Sequence, residues 1–162
     1  MLTQARLKEL LRYDAEAGQF FWIVPRRNNV EVGRRAGDTT RYGYRRICID
    51  RKSYQEHRLV WLYSTGEWPS GQIDHINGCR SDNRLTNLRD VSAAINSQNC
   101  RFPQKKSSSG LLGVYFNKES KKWIAQIKHG AKRLTIGRFD DPEDAHLAYV
   151  EAKRRLHPGC TL

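Results

Sequence analysis

No stretch of the chain approaches the roughly 18 consecutive apolar residues of a membrane span. The start, MLTQARLKELLRYD, has no continuous apolar segment of the kind that opens a secretory signal. The expectation is a protein that stays where it is made, in the cytoplasm, with no membrane partner. Cysteine is sparse and scattered. Cys48, Cys79, Cys100 and Cys160 form no C-x-x-C pair, which argues against a zinc ribbon and a disulfide framework and for reduced thiols. Acidic residues are also few: 17 Asp plus Glu against 29 Lys plus Arg gives a net charge of +12.

With 162 residues, there is room for one ordinary domain or two small ones, and not for a large multidomain enzyme. A 10% aromatic content is too high for a disordered chain. The positive charge points first to nucleic acid, whose phosphates attract it whatever the sequence. An anionic membrane surface is a weak second, because the chain has no basic amphipathic helix and no lipidation signal.

Thr3 can cap a short helix with Leu7, Leu10 and Leu11 on one face, which Gly18 then breaks, and Gln19 to Val24 reads as a strand. From Arg26 to Lys52, nine basic residues stand against three acidic ones, interleaved with Tyr42, Tyr44, Ile47 and Ile49. This predicts twisted strands turned toward phosphate, with Arg26, Arg27, Arg34, Arg35, Arg45 and Arg46 as DNA contacts. His57 to Ser64 reads as a mostly buried helix, and the run EWPSG closes it. RFPQKKSSS, residues 101–109, has the composition of a flexible basic linker, so the domain boundary is expected there.

Beyond it the periodicity is cleaner. Trp123, Ala125 and Ile127 alternate with Ile124, Gln126 and Lys128, and Leu134 and Ile136 alternate with Arg133 and Thr135. Asp141, Pro142, Glu143 and Asp144 start a helix whose apolar stripe is Ala145, Ala148, Tyr149, Ala152 and Leu156. A three-stranded antiparallel sheet backed by one helix follows. Its open face would carry Tyr115, Asn117, Gln126, Lys128, Arg133 and Thr135, groups able to reach base edges and phosphates.

Asp74 and His75 lie at the end of a predicted strand, with Asn83, Asn87, Asn96 and Asn99 following. Hydrolysis of a phosphodiester needs an activated water, a base and a hard cation. A neutral imidazole suits the base, and Asp and Asn oxygens suit Mg²⁺ or Mn²⁺. Ser92 or Asp90 can cap a helix through Gln98, with Val91 and Ile95 on its buried side and Asn96 turned away from that side. Asn83 and Asn99 read as a loop residue and a helix terminator. His57 reads as a half-buried, satisfied histidine beside Arg58.

The stretch IDHINGCRSDNRLTNLRDVSAAINSQN, residues 73–99, together with HRLVWLYSTGEWP, residues 57–69, resembles the HNH nuclease family. The resemblance implies an α+β fold in which a ββα-metal module follows a strand-rich N-terminal extension. It makes His75 the general base, Asp74 and Asn96 the ligands of one Mg²⁺ or Mn²⁺, and Asn87 the residue that braces the loop and orients His75. Asn96 stands where many members carry a histidine, which makes this an H-N-N variant and favours Mg²⁺ over Zn²⁺.

SGLLGVYFN, KKWIAQIK and LTIGRFDDPEDAHLAYVEAKRRLH, from Ser109 to His157, resemble the apetala-two or ethylene-response-factor DNA-binding domain. The six open-face residues named above are the family's contact positions carried onto this chain, while Trp123 falls in the core.

The combined expectation is a nuclease domain over residues 1–100, the linker at 101–109 and a DNA-binding domain over 110–162. It describes a metal-dependent, site-directed DNA endonuclease of the phage or intron homing type, acting in the host cytoplasm if phage-encoded. Its partner is double-stranded DNA; it needs no small-molecule cofactor and is a monomer in solution. With one active site per chain, nicking is favoured over a double-strand break. The alternative from another class is a sequence-specific DNA-binding regulator that has lost catalysis. An RNA-binding module is weaker, because a groove-entering sheet suits B-form DNA better.

Overall fold

A computed structural model describes residues 1–25, 31–104 and 107–162 of the chain, and Arg26 and Arg27 lie outside the described residues. Two compact units result, Met1–Ala93 and Ala94–Leu162.

In the first unit Thr3 Oγ1 accepts from Arg6 N at 3.2 Å and starts α1, Gln4–Leu10. The helix ends well before Gly18, contrary to the sequence expectation. Leu11–Asp14 form β1, paired antiparallel with β2, Gln19–Trp22, so that Leu11 sits opposite Trp22. The reason is burial: Leu11 and Phe20 are fully buried, and a hairpin lets both reach the core that Leu7 already occupies. Gly18 is the turn of that hairpin, at φ +65, and a Cβ there would lie 2.5 Å from Arg84 N. A side chain would push away the loop that carries Asn83.

The basic stretch forms a three-stranded sheet of β3, Asp38–Thr39, β4, Arg45–Ile49, and β5, Lys52–Gln55, in that order. β4 alternates buried and exposed residues, and Ile47 and Ile49 point into the core against Leu59 and Val60 of α2, Glu56–Thr65. β6, Gln72–His75, pairs with β7, Leu88–Val91, with Asp74 opposite Arg89 and His75 opposite Leu88. A single 3-10 turn, Leu85–Asn87, leads into β7.

Helix α3 covers Ala93–Gln98. Val91 therefore belongs to a strand and not to the buried side of the helix. Asp90 caps no helix either: its carboxylate accepts from Ser70 N, Ser70 Oγ and Gly71 N at 2.7–2.9 Å.

The division between the units at Ala93 and Ala94 falls before the composition-based boundary at residue 101. Residues 98–101 are tied to the C-terminal tail, with Gly159 N donating to Gln98 Oε1 and Arg101 donating to Thr161 O. The second unit's sheet has the order β10, β9, β8, from β8, Val114–Asn117, β9, Lys122–His129, and β10, Lys132–Phe139. Helix α4, Pro142–Leu156, is capped by Asp141, whose Oδ1 accepts from Glu143 N and Asp144 N. It covers one sheet face through Ala145, Tyr149 and Ala152, against Val114, Ala125 and Ile127. Among the described residues, no helix is long and apolar enough to cross a membrane.

Gly113 precedes β8 at φ +76, where a Cβ would meet the Tyr149 ring at 2.1–2.4 Å. Gly113→Ala should therefore destabilise the second unit by on the order of 1–3 kcal/mol. Urea unfolding of the full chain measures this, and an unchanged midpoint would disprove the close packing of Tyr149 on Gly113.

Candidate active site

Glu56 opens α2 with its side chain completely buried. Three donors converge on its two oxygens: Phe20 N on Oε1 at 3.4 Å, and Arg45 Nε at 3.2 Å and Asn83 Nδ2 at 3.1 Å on Oε2. Burial pushes the Glu56 carboxyl up, against the pull of the Arg45 guanidinium. Arg45 is itself fixed by Ala36 O at 2.7 Å, Gly37 O at 3.1 Å and Thr39 Oγ1 at 3.3 Å.

This corrects one expected DNA contact. Arg45 is buried, and its donors point at Glu56 and at backbone carbonyls, because β4 turns alternate residues inward. Arg46, on the other side of the strand, is exposed and paired with Asp38 at 3.0 Å. Arg34 and Arg35 are exposed on the segment that runs beside β2, where Trp22 N donates to Arg34 O.

Asn83 links this group to His75. Its Oδ1 lies 2.9 Å from His75 Nε2. Asn83 lies in the loop, as its sequence reading has it, and is fully buried there. The reading also gave Asn87 the task of orienting His75. Asn87 braces the loop, the first part of its expected role: its Oδ1 accepts from Asn77 N at 2.9 Å and its Nδ2 donates to Asp82 O at 2.8 Å. Asn83, four residues earlier on the inside of the same loop, is the side chain on the His75 ring. Tyr13 secures that loop from the hairpin, its hydroxyl donating to Asn83 O at 2.9 Å and accepting from Leu85 N at 3.2 Å.

Two rings pack around His75. His57 stands edge to face with it at 5.2 Å between centroids, and Tyr44 lies 5.6 Å from His57 and 6.0 Å from His75. The Arg80 guanidinium sits 5.0 Å over Tyr44 and donates to Tyr42 O at 2.9 Å. His57 is therefore part of this cluster and differs from its sequence reading. It is buried, and its Nδ1 has no hydrogen-bond partner among the described residues. Burial, then the neighbouring His75, lowers its pKa to about 4. Burial also lowers His75, opposed by the Asn83 hydrogen bond and the charge of Asp74. Both rings are biased toward the neutral form, the form a proton acceptor requires.

Asp74 is buried and pairs with Arg89 across the hairpin at 2.7 Å, as their register dictates. Asn96 lies on α3 in the second unit, half-buried. No group of three or more His, Cys, Asp or Glu that could hold a metal occurs among the described residues. The donors beside His75 are a carboxylate and amide oxygens, hard ligands that fit Mg²⁺ or Mn²⁺, ions that usually take their remaining ligands from phosphate and water.

In the second unit the register places Tyr115, Asn117, Gln126, Lys128, Arg133 and Thr135 on one sheet face. Tyr115 is opposite Ile124, Asn117 opposite Lys122, Thr135 opposite Gln126 and Arg133 opposite Lys128. The period-2 alternation missed Arg138. A register shift between Thr135 and Gly137 brings Arg138 opposite Ile124, onto the same face. Trp123 is half-buried at the edge of the core, with Phe116 at 5.0 Å.

The family model described as HNH endonuclease matches residues 54–98. That span contains Glu56, His57, Asp74, His75, Asn83, Asn87 and Asn96. The chain is also similar to "Protein 3.8" of Escherichia phage T7, with 33% identity over 115 residues, 66% of this chain and 93% of that protein. No solved structure matches. Neither similarity names a DNA-binding domain of the apetala-two type.

The buried His57 yields a stability prediction. Its folded pKa, about 4, lies below the ordinary 6.5, so between these values the unfolded chain binds the extra proton and acid favours unfolding. The His57 contribution is present above pH 6.5 and is lost as pH falls toward 4, by on the order of 3 kcal/mol. In denaturant unfolding across this range, His57→Phe should show a flatter pH dependence than the wild type. Parallel curves would refute the burial of a neutral His57.

Proposed function

The chain belongs to the HNH endonuclease family, and from that premise we propose that it is a divalent-metal-dependent, site-directed DNA endonuclease that nicks one strand per encounter. The observation that carries the reading is His75, buried, biased toward its neutral form and next to Asp74 inside the matched span. His75 takes the proton from the attacking water. Asp74 supplies the carboxylate ligand of the metal; Asn96 as the second ligand rests on the motif alone. A bound Mg²⁺ or Mn²⁺ would supply positive charge at the scissile phosphate and at the departing 3′ oxygen. Asn87 and Asp82 hold the loop over which the backbone passes from His75 to Asn83. Burying the imidazole among Tyr44 and His57 limits its access to bulk water and disfavours its protonation.

One such site per chain cuts one strand, so a nick is the product of a monomer. A phage-encoded relative, 93% of which is covered by the match, supports a phage or intron homing enzyme working in the host cytoplasm. The second unit, through Tyr115, Asn117, Gln126, Lys128, Arg133, Thr135 and Arg138, adds affinity and register on double-stranded DNA. Exposed Arg34, Arg35 and Arg46 contact phosphates from the nuclease unit.

Supercoiled plasmid carrying source DNA should be converted to open circle in the presence of Mg²⁺. EDTA or His75→Ala should abolish the conversion. Loss of a general base costs on the order of 100- to 10,000-fold. Plasmid that is retarded on a gel yet stays supercoiled with every divalent ion would replace this reading with a DNA-binding regulator.

Salt provides a second test. Affinity for duplex DNA should fall linearly with salt on logarithmic axes, by roughly 0.9 per phosphate neutralised. Lys128→Ala with Arg133→Ala should flatten that slope by about 2. An unchanged slope would remove the second sheet face from the DNA interface.

A further inference from the structure

We propose that the turn between β3 and β4 is a wedge, in which Tyr42 enters the base stack of duplex DNA beside the cut and Arg41 takes a flanking phosphate. The inference rests on the protein being an endonuclease that acts on duplex DNA, and it adds how that DNA is deformed.

Residues 40–43 form the turn. Gly43 N donates to Thr40 O at 2.9 Å and Thr40 N donates to Tyr44 O at 2.7 Å, so Arg41 and Tyr42 are its two central residues. The tip reaches no core, and Tyr42 is 59% exposed, more than any other aromatic of the first unit. Tyr44, two residues on, packs its ring against His57 and His75 at 5.6 and 6.0 Å. Two residues of chain span at most about 7 Å, so the tip stands at the rim of the proposed active site. Tyr42 is thereby within a few base steps of the phosphate that His75 would serve.

The tip is held from the loop that follows His75. Arg80 donates to Tyr42 O at 2.9 Å and lays its guanidinium 5.0 Å over the Tyr44 ring, so one cation clasps both tyrosines. An inserted ring needs such a base, because a mobile tip would lose in ordering what stacking supplies. Charge complementarity names the partner. Arg41 and Arg80 are both exposed, and neither is in an ion pair among the described residues.

In the free protein the Arg41 guanidinium lies 4.6 Å over the Tyr42 ring and donates to its hydroxyl. At an exposed position this cation–π contact is worth less than the stacking of a base on an aromatic ring. A base therefore displaces Arg41 from the ring, and the guanidinium passes to a phosphate. A side chain wedged between base steps unstacks them and kinks the duplex, at least cost where pyrimidine–purine steps make it flexible. Tyr42 thus makes the choice of site depend on how easily the DNA deforms near the cut.

The test uses the full-length protein in EDTA on closed circular plasmid carrying source DNA, relaxed by a topoisomerase that needs no divalent ion. A wedge unwinds the duplex, so bound wild-type protein should lower the linking number read after the protein is removed. Tyr42→Ala should leave the linking number unshifted and bind this DNA about 5- to 150-fold more weakly. Tyr42→Phe keeps the ring and should retain both properties. Tyr42 is uncharged, so Tyr42→Ala should keep the wild-type salt slope, whereas Arg41→Ala should flatten it by about 1. Unwinding retained by Tyr42→Ala, or lost equally in Tyr42→Phe, would overturn the proposal. Both substitutions are at an exposed turn, and an unchanged urea midpoint separates lost stacking from lost folding. Plasmid that is unwound yet never nicked with Mg²⁺ would sink the nuclease reading and keep the wedge. Plasmid nicked with Mg²⁺ while every variant gives the same linking number would sink the wedge alone.

Discussion

A carboxylate with no exposed surface must be neutralised where it stands, and Glu56 imposes that demand on the whole first unit. Arg45 meets it from the middle of the basic sheet, Phe20 N from the N-terminal hairpin and Asn83 from the loop that follows His75. Three separate pieces of chain are thereby brought to one point. Removing any one partner would leave a buried charge short of a donor, a larger penalty than losing an exposed ion pair. The same group reaches His75 through Asn83, whose Oδ1 lies 2.9 Å from His75 Nε2.

Around this point the loop from Ile76 to Asn87 is hydrogen-bonded almost from within. Asn77 and Arg84 both bond Asp82, whose carboxyl is held down to about 2 chiefly by Arg84. Asn87 joins the two ends of the loop. This rigidity suits a site that must present a base and a carboxylate at fixed separation. The positive charge of the chain is divided between two tasks. Arg45 and Arg89 neutralise buried carboxylates, while Arg34, Arg35, Arg46, Lys128 and Arg133 remain exposed to solvent.

Much of the architecture was legible in residue order because it follows from local rules. Thr3 and Asp141 cap the helices they were expected to cap. Asp74 and His75 close a strand, as their place in the sequence suggests. Where the reading failed, a contact distant in sequence was responsible. Leu11 leaves the helical pattern because Trp22 pairs with it, Val91 joins a strand because Gln72 lies opposite, and Arg138 changes face at a register shift.

The sequence by itself determined the charge balance, the helix caps and the Asp74-His75 pair, since each depends on neighbours within a few positions. Only the tertiary structure decided that Arg45 is internal, that Asn83 and not Asn87 holds the His75 ring, and that His57 packs against it. Those outcomes join Arg45 to Glu56, Asn83 to His75 and His57 to His75, pairs 8 to 18 positions apart. Nothing local distinguishes an Asn that caps a turn from an Asn that satisfies a carboxylate, and burial alone makes the difference.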